Sequence, residues 1–320
     1  MKERLVTFVA FVIAALAPTL ASAATDKVAV AIGQRGLWDT LVIYQGIEEG
    51  LFAEENLEVD VTWTKGGAET LQAVTTRSVD MGFVNGMLGV LGAYRRGAPV
   101  RIIGAQMTGA NDLFWYARAD SDLESFADAA GKRIGYSRPG SSSQLVLLAL
   151  LDNARVQAKP ISSGGIPDNR IQVMSGQLDV GWSVPPFNLD LVKKGELKIV
   201  AKGSDIPALA DQTVRTNISN TRFLTERRDV AKRFMRAYMR AVDWMYQNQE
   251  AAIKRFAEFN NLDMDIAREA AAFYPKKTLL SVPVKGLERT MKEAIEHGAL
   301  RESLTANEIE ELIDYVHDPR

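Results

Sequence analysis

Lys132-Arg133-Ile134-Gly135-Tyr136-Ser137-Arg138-Pro139-Gly140-Ser141-Ser142-Ser143 is the stretch that decides the reading of this chain. Ile134-Gly135-Tyr136 reads as the end of a strand, Arg138-Pro139-Gly140 as a turn, and the three serines as the start of a helix over 141–153. Pro139 and Gly140 permit a tight reversal. The first helical turn then offers unpaired N–H groups, the positive end of the helix dipole, and hydroxyls beside them. On its own such a junction is an N-cap; in the right surroundings it is a cradle for an anionic or strongly dipolar ligand.

Working outward, strands and helices alternate. Strands are predicted at 28–32, 57–63, 79–84 and 100–105, with helices at 38–50, 68–76 and 87–96 between them. After a strand at 113–118 the pattern restarts with 132–136, the helix 141–153, a strand at 157–161, a helix at 167–174, and strands at 178–184 and 197–201. A strand at 213–218 then leads back towards the first unit. This alternation predicts parallel sheets covered on both faces, with a second α/β lobe beginning near residue 112. From Thr225 onward the chain turns helical, and Val230, Phe234, Tyr238, Ala241 and Met245 form one apolar stripe expected to pack on a core.

The chain has 320 residues, a formal net charge of −2 and no cysteine. Two lobes suit that length, and the charge balance offers no basic footprint for nucleic acid or for an anionic membrane surface. With no thiol there is no disulfide, thiolate metal site, thiol nucleophile or lipid-attachment cysteine. Lys2 and Arg4, an apolar run over 5–16, and Ala21-Ser22-Ala23 make the three-part pattern of a cleaved signal peptide over 1–23. The expected product is a soluble, exported, periplasmic monomer whose partners are small molecules or proteins.

Ligands of open parallel sheets bind at the carboxyl ends of strands, which directs attention to four loops. Gln34, Arg35 and Trp38 lie in the first, Asn85 and Gly86 in the second, Ser141, Ser142 and Ser143 in the third, and Trp182 and Pro185 in the fourth. Amides and hydroxyls there are suited to hydrogen bonding, glycines to close backbone approach, and tryptophans to stacking. Each has a plainer reading: Trp38 as a plug between helix and sheet, Trp182 as core, Asn85-Gly86 as a turn, Arg35 as a surface charge. Catalysis lacks its parts, because the two histidines, His297 and His317, fall in the helical C-terminal region. Asp80 and Asp179 read as turn caps at the strand ends opposite the cleft. No metal site and no cofactor is expected.

Several motifs, in order, carry a family resemblance. They are Gly50-Leu51-Phe52-Ala53-Glu54-Glu55-Asn56-Leu57-Glu58-Val59, Gly66-Gly67, Arg77-Ser78-Val79-Asp80-Met81-Gly82, Gly97-Ala98-Pro99-Val100, Gly131-Lys132-Arg133-Ile134-Gly135, Pro139-Gly140-Ser141, and Gly176-Gln177-Leu178-Asp179-Val180 with Pro185-Pro186. Over about residues 28–250 the chain resembles periplasmic solute-binding proteins of the nitrate/sulfonate/taurine class, also called NMT1/THI5-like. The resemblance implies a type II periplasmic binding protein fold: two doubly wound α/β lobes, 24–110 plus 213–320 and 111–212, joined by two crossings, with a helical C-terminal extension. It also implies a solute trapped between the lobes and delivery to an ABC permease. In such proteins Gln34, Trp38, Asn85, Gly86, Ser141 and Ser142 occupy cleft positions. The expected solute is a small organic anion of sulfonate or carboxylate type. The alternatives are a neutral heterocycle such as a pyrimidine thiamine precursor, a precursor-synthesis enzyme on the same scaffold, and a ligand-loaded partner of a membrane sensor. The enzyme branch of the family uses a histidine of its own, which the four loops here lack.

Overall fold

The computed structural model describes residues 24–319, so the predicted signal peptide at 1–23 lies outside the described residues. The chain begins with β1 (Asp26–Gly33), α1 (Leu41–Glu48), β2 (Leu57–Thr64), α2 (Gly67–Thr75), β3 (Met81–Gly86), α3 (Met87–Arg95) and β4 (Val100–Thr108). These strands are rich in Val, Ile and Met and are buried on both faces at β3 and most of β4, as expected of strands under helices.

A second run follows, of β5 (Phe114–Arg118), β6 (Arg133–Tyr136), α4 (Ser142–Ala154), β7 (Lys159–Ser162), α5 (Ile166–Met174), β8 (Gly181–Ser183), α6 (Leu189–Lys193) and β9 (Leu197–Lys202). β10 (Thr213–Asn220) then re-enters the first sheet, whose order is β2-β1-β3-β10-β4. In the second sheet β8-β5-β9 is joined to the pair β6-β7 through the bridge between Ile134 and Val180, giving β7-β6-β8-β5-β9. The two orders match, and in each sheet the strand that arrives from the other sheet stands fourth.

Both arriving strands correct the expectation of parallel sheets. β10 is antiparallel to β3 and β4, and β5 is antiparallel to β8 and β9. Hydrophobic periodicity shows that a segment is a strand but not which way it runs, and a strand entering from the far side of the fold runs against its hosts. β7 departs too: it is exposed along its whole length.

The C-terminal helices are α7 (Thr221–Glu226), α8 (Arg228–Gln247), α9 (Gln249–Asn260), α10 (Met264–Ala272), α11 (Leu287–Glu296) and α12 (Ala306–Leu312). All five stripe residues of α8 are buried. Phe234 packs 4.8 Å from Phe52 and 5.7 Å from Phe83, ring centre to ring centre, so the stripe docks on the first sheet. The opposite face carries charge: Arg233 reaches Asp26 at 2.6 Å and Arg236 reaches Glu55 at 2.5 Å. No helix among the described residues is long and apolar enough to cross a membrane.

Candidate functional site

Gln34 follows the carboxyl end of β1, Lys65 that of β2, Ser137 that of β6, Val184 that of β8, and Gly86 closes β3; all five line one cleft between the two sheets. Ser141, Ser142 and Ser143 enter it from the start of α4, and Trp182 from β8. The free space is about 50 Å³, room for a handful of waters. The walls are close because backbone meets backbone. The Gly89 N–H donates to the Gly140 carbonyl at 2.9 Å, and Arg138 pairs with Glu69 at 2.5 Å, both linking elements of different sheets.

The serine turn is built as its sequence indicates. Ser141 caps α4, accepting from the Gln144 N–H at 3.2 Å, and Ser143 Oγ accepts from the Ser137 N–H at 2.9 Å. These bonds occupy the Ser141 and Ser143 hydroxyls within the turn. The Gln144 N–H is satisfied by that cap, whereas the N–H groups of Ser142 and Ser143, residues that line the cleft, have no acceptor inside the helix.

Of the ten residues singled out from sequence, Gln34, Gly86, Ser141, Ser142, Ser143 and Trp182 line this cleft, whereas Arg35, Trp38, Asn85 and Pro185 do not. Trp38 is fully buried, edge-on to Phe256 at 5.4 Å, and its Nε1 donates to the Tyr246 hydroxyl at 3.3 Å. It plugs helices onto the sheet and offers no free face for stacking. Arg35 is exposed and lies over the Phe259 ring at 4.5 Å. Asn85 is buried and donates to the Thr216 carbonyl at 3.1 Å, binding β3 to β10. Pro185 stands just beyond Val184, which takes the lining position.

Sequence reasoning missed Arg215. In the antiparallel register of β10 and β3 it stands opposite Gly86, the last residue of β3, so it lines the cleft although only 2% exposed. It forms an ion pair with Asp112, which precedes β5 on the outward crossing, and lies 3.7 Å from Asp39 before α1. The pair thus ties the two crossings together beneath the cleft. Arg215 Nε has no hydrogen-bond partner, and neither do Trp182 Nε1 or either carboxylate oxygen of Asp39. Burial pushes the Asp39 carboxyl up to about 6, with nearby Asp112 adding to the rise and Arg215 opposing it. The available signal was an arginine between Val214 and Ile218 in a predicted strand, since a guanidinium buried there requires partners.

Asp80 and Asp179 lie at the strand ends away from the cleft and do more than cap turns. Asp80 accepts the Ala29 N–H at 2.9 Å, and Asp179 accepts the Arg133 N–H at 2.7 Å, so each latches the third strand of its sheet to the second. Burial raises Asp80, while the hydrogen bond from Arg133 holds Asp179 low. Outside the cleft, Asp152, Glu296 and His297 bring possible metal-ligand atoms within 4.8 Å of one another. The two carboxylates are exposed, and Lys292 lies 3.8 Å from Glu296.

The model of the NMT1/THI5-like family matches residues 39–252. The 4-amino-5-hydroxymethyl-2-methylpyrimidine phosphate synthase of Candida albicans is 23% identical over 259 residues, covering 74% of this chain and 71% of its own. The formylaminopyrimidine-binding protein of Halalkalibacterium halodurans is 22% identical over 223 residues, covering 66% and 64%. The alkanesulfonate-binding protein SsuA of Xanthomonas axonopodis pv. citri, solved with MOPS bound, superposes with a TM-score of 0.76 at 18% identity over 93% of this chain and all of its own. That likeness fixes the fold as that of a periplasmic binding protein, and with a matched segment spanning most of both sheets the chain belongs to the NMT1/THI5-like family.

Proposed function

We propose that this protein is an exported periplasmic receptor that captures a small organic anion, of sulfonate or carboxylate type, and hands it to an ABC permease. The observation that carries the reading is a surplus of donors. Trp182 Nε1 and Arg215 Nε are unpartnered on residues that line the cleft, Ser142 and Ser143 of the first turn of α4 line it too, Lys65 stands at its edge, and no carboxylate is among the described residues that line it. A cavity that presents N–H groups and positive charge is completed by an acceptor-rich anion.

In this reading the ligand contacts are Gln34, Gly86, Ser141, Ser142, Ser143 and Trp182, joined by Lys65 and Arg215. The moving bodies are the lobes 24–110 plus 213–320 and 111–212, residues 1–23 direct export, and the receptor works as a monomer. Closure removes the solute from water, and the permease reads the relative position of the lobes. The narrow free space favours a ligand with few heavy atoms.

A second ligand class, the neutral pyrimidine, draws support from the Trp182 ring in the cleft and from relatives named for pyrimidines. Native mass spectrometry of freshly purified protein, followed by thermal-shift titration with methanesulfonate, acetate and an aminopyrimidine, separates the two. Stabilisation by the anions, with the ligand recovered chemically unchanged, supports an anion receptor. Stabilisation by the pyrimidine alone transfers the site to the heterocycle, and conversion of the pyrimidine makes the protein an enzyme.

A further inference from the structure

Solute capture leaves the carboxylates beneath the cleft unused, and Asp39 is the one whose position needs explaining. It is 1% exposed and neither oxygen has a hydrogen-bond partner, a costly arrangement for an ionised group. The titratable groups that face it are Arg215 from β10, Asp112 from the outward crossing, Tyr238 and Tyr246 from α8, and Tyr274 beyond α10. Gln106 of β4 donates to its main-chain carbonyl at 3.2 Å, and the Gln106 amide offsets part of the burial effect on the carboxyl. Burial holds all three tyrosines above their ordinary range, Tyr246 at about 12, so they stay neutral.

One guanidinium therefore balances two carboxylates, and Arg215 separates that excess negative charge from the cleft it lines. An anion placed beside Arg215 competes with Asp39 for the same positive charge, and in a poorly solvated interior it raises the proton affinity of that carboxylate.

We propose that Asp39 is the charge-balancing residue of the cleft, taking up one proton when a monoanion settles against Arg215 and returning it on release. The inference rests on the anion reading above and makes the captured species an anion together with a proton. Its sign is fixed: the complex holds more protons than the free protein, so affinity rises as pH falls. The gain levels off once Asp39 is protonated in the free protein too.

Methanesulfonate is the probe, because it stays ionised throughout and contributes no titration of its own. Isothermal titration of the full chain from about pH 7.5 to about pH 5.5 is expected to show binding tightening about tenfold. In two buffers of different ionisation heat near pH 7, the apparent enthalpies are expected to differ by a fractional proton uptake. Asp39→Asn is expected to flatten the pH profile and abolish the uptake while still binding the anion. A native affinity constant within twofold across the range, equal heats in the two buffers, or an Asp39→Asn profile with the native slope overturns the proposal and leaves the anion receptor standing. Failure of methanesulfonate and acetate to bind at any pH overturns the anion reading itself. The two-buffer measurement needs only the native protein, so it decides the matter even if the variant does not fold.

Discussion

Gly86 and Gly140 approach each other so closely that a Cβ on Gly86 would lie 2.4 Å from the Gly140 carbonyl oxygen and 2.8 Å from Ser141 Cα. Both are backbone atoms, so no flexible side chain can move aside. Three residues further along, the Gly89 N–H bonds that same carbonyl. The narrowness of the cleft is thus set by main chain.

Gly86→Ala is expected to hold the sheets apart. Small-angle scattering should show a larger radius of gyration for the variant in the presence of solute. A closed state disfavoured by about 1.4 kcal/mol weakens apparent binding about tenfold. An unchanged radius with unchanged affinity means the contact yields at no cost.

Trp182→Phe keeps an aromatic face in the cleft but deletes an N–H that has no partner in the structure, together with part of a buried ring system. Chemical denaturation should register the loss of buried ring area, about 1–2 kcal/mol, well short of the cost of full truncation to Ala. Methanesulfonate binding should weaken about tenfold, as expected for loss of one hydrogen bond to a charged acceptor.

Trp38→Ala is expected to behave in the opposite way. Removing a fully buried ring that is packed against Phe256 and Tyr246 costs about 3–5 kcal/mol in urea unfolding. Where the variant remains folded, its preference among anions should match the native one.

Asp112→Ala removes the nearer of the two carboxylates beside the Arg215 guanidinium, which is 2% exposed and then keeps only Asp39 at 3.7 Å. Breaking a buried pair costs about 3–5 kcal/mol where the charge is left uncompensated, and the remaining Asp39 holds the loss at or below the lower end of that range. The midpoint of thermal unfolding should fall accordingly at neutral pH.

Asp39 also shapes stability. Its carboxyl titrates higher in the folded chain than in the unfolded one, so the folded state holds the extra proton. The stability it contributes is complete at low pH and is lost as pH rises to about 6. Compared with Asp39→Asn, the native chain should lose up to a few kcal/mol between about pH 4 and pH 6 and run parallel above that.

Most of the fold was legible because strands under helices and helices on sheets leave different periods in the sequence. The stripe Val230, Phe234, Tyr238, Ala241 and Met245 fell where its spacing placed it. Strand direction leaves no such mark, and one omission produced another. Read as parallel, β10 brings Thr213 to Ile218 nowhere near a ligand; antiparallel, it sets Arg215 opposite Gly86 at the floor of the cleft. Trp38 and Trp182 show the complementary limit: both are tryptophans in loops or short strands near strand ends, and only three-dimensional packing distinguishes the plug from the wall. The serine turn was legible because capping is local, and its partners lie within a few residues.

β10 lies between β3 and β4, yet it is made after every strand of the second sheet. Until residue 213 has left the ribosome, β3 has one open edge and β4 has no strand beside it in the first sheet. The early chain is therefore a half-built sheet with unpaired edges, and its completion requires contacts between residues far apart in sequence, which form slowly. Fragments ending before β10 should aggregate rather than fold, and during synthesis the long delay leaves the nascent chain open to holding factors that bind unfolded polypeptide.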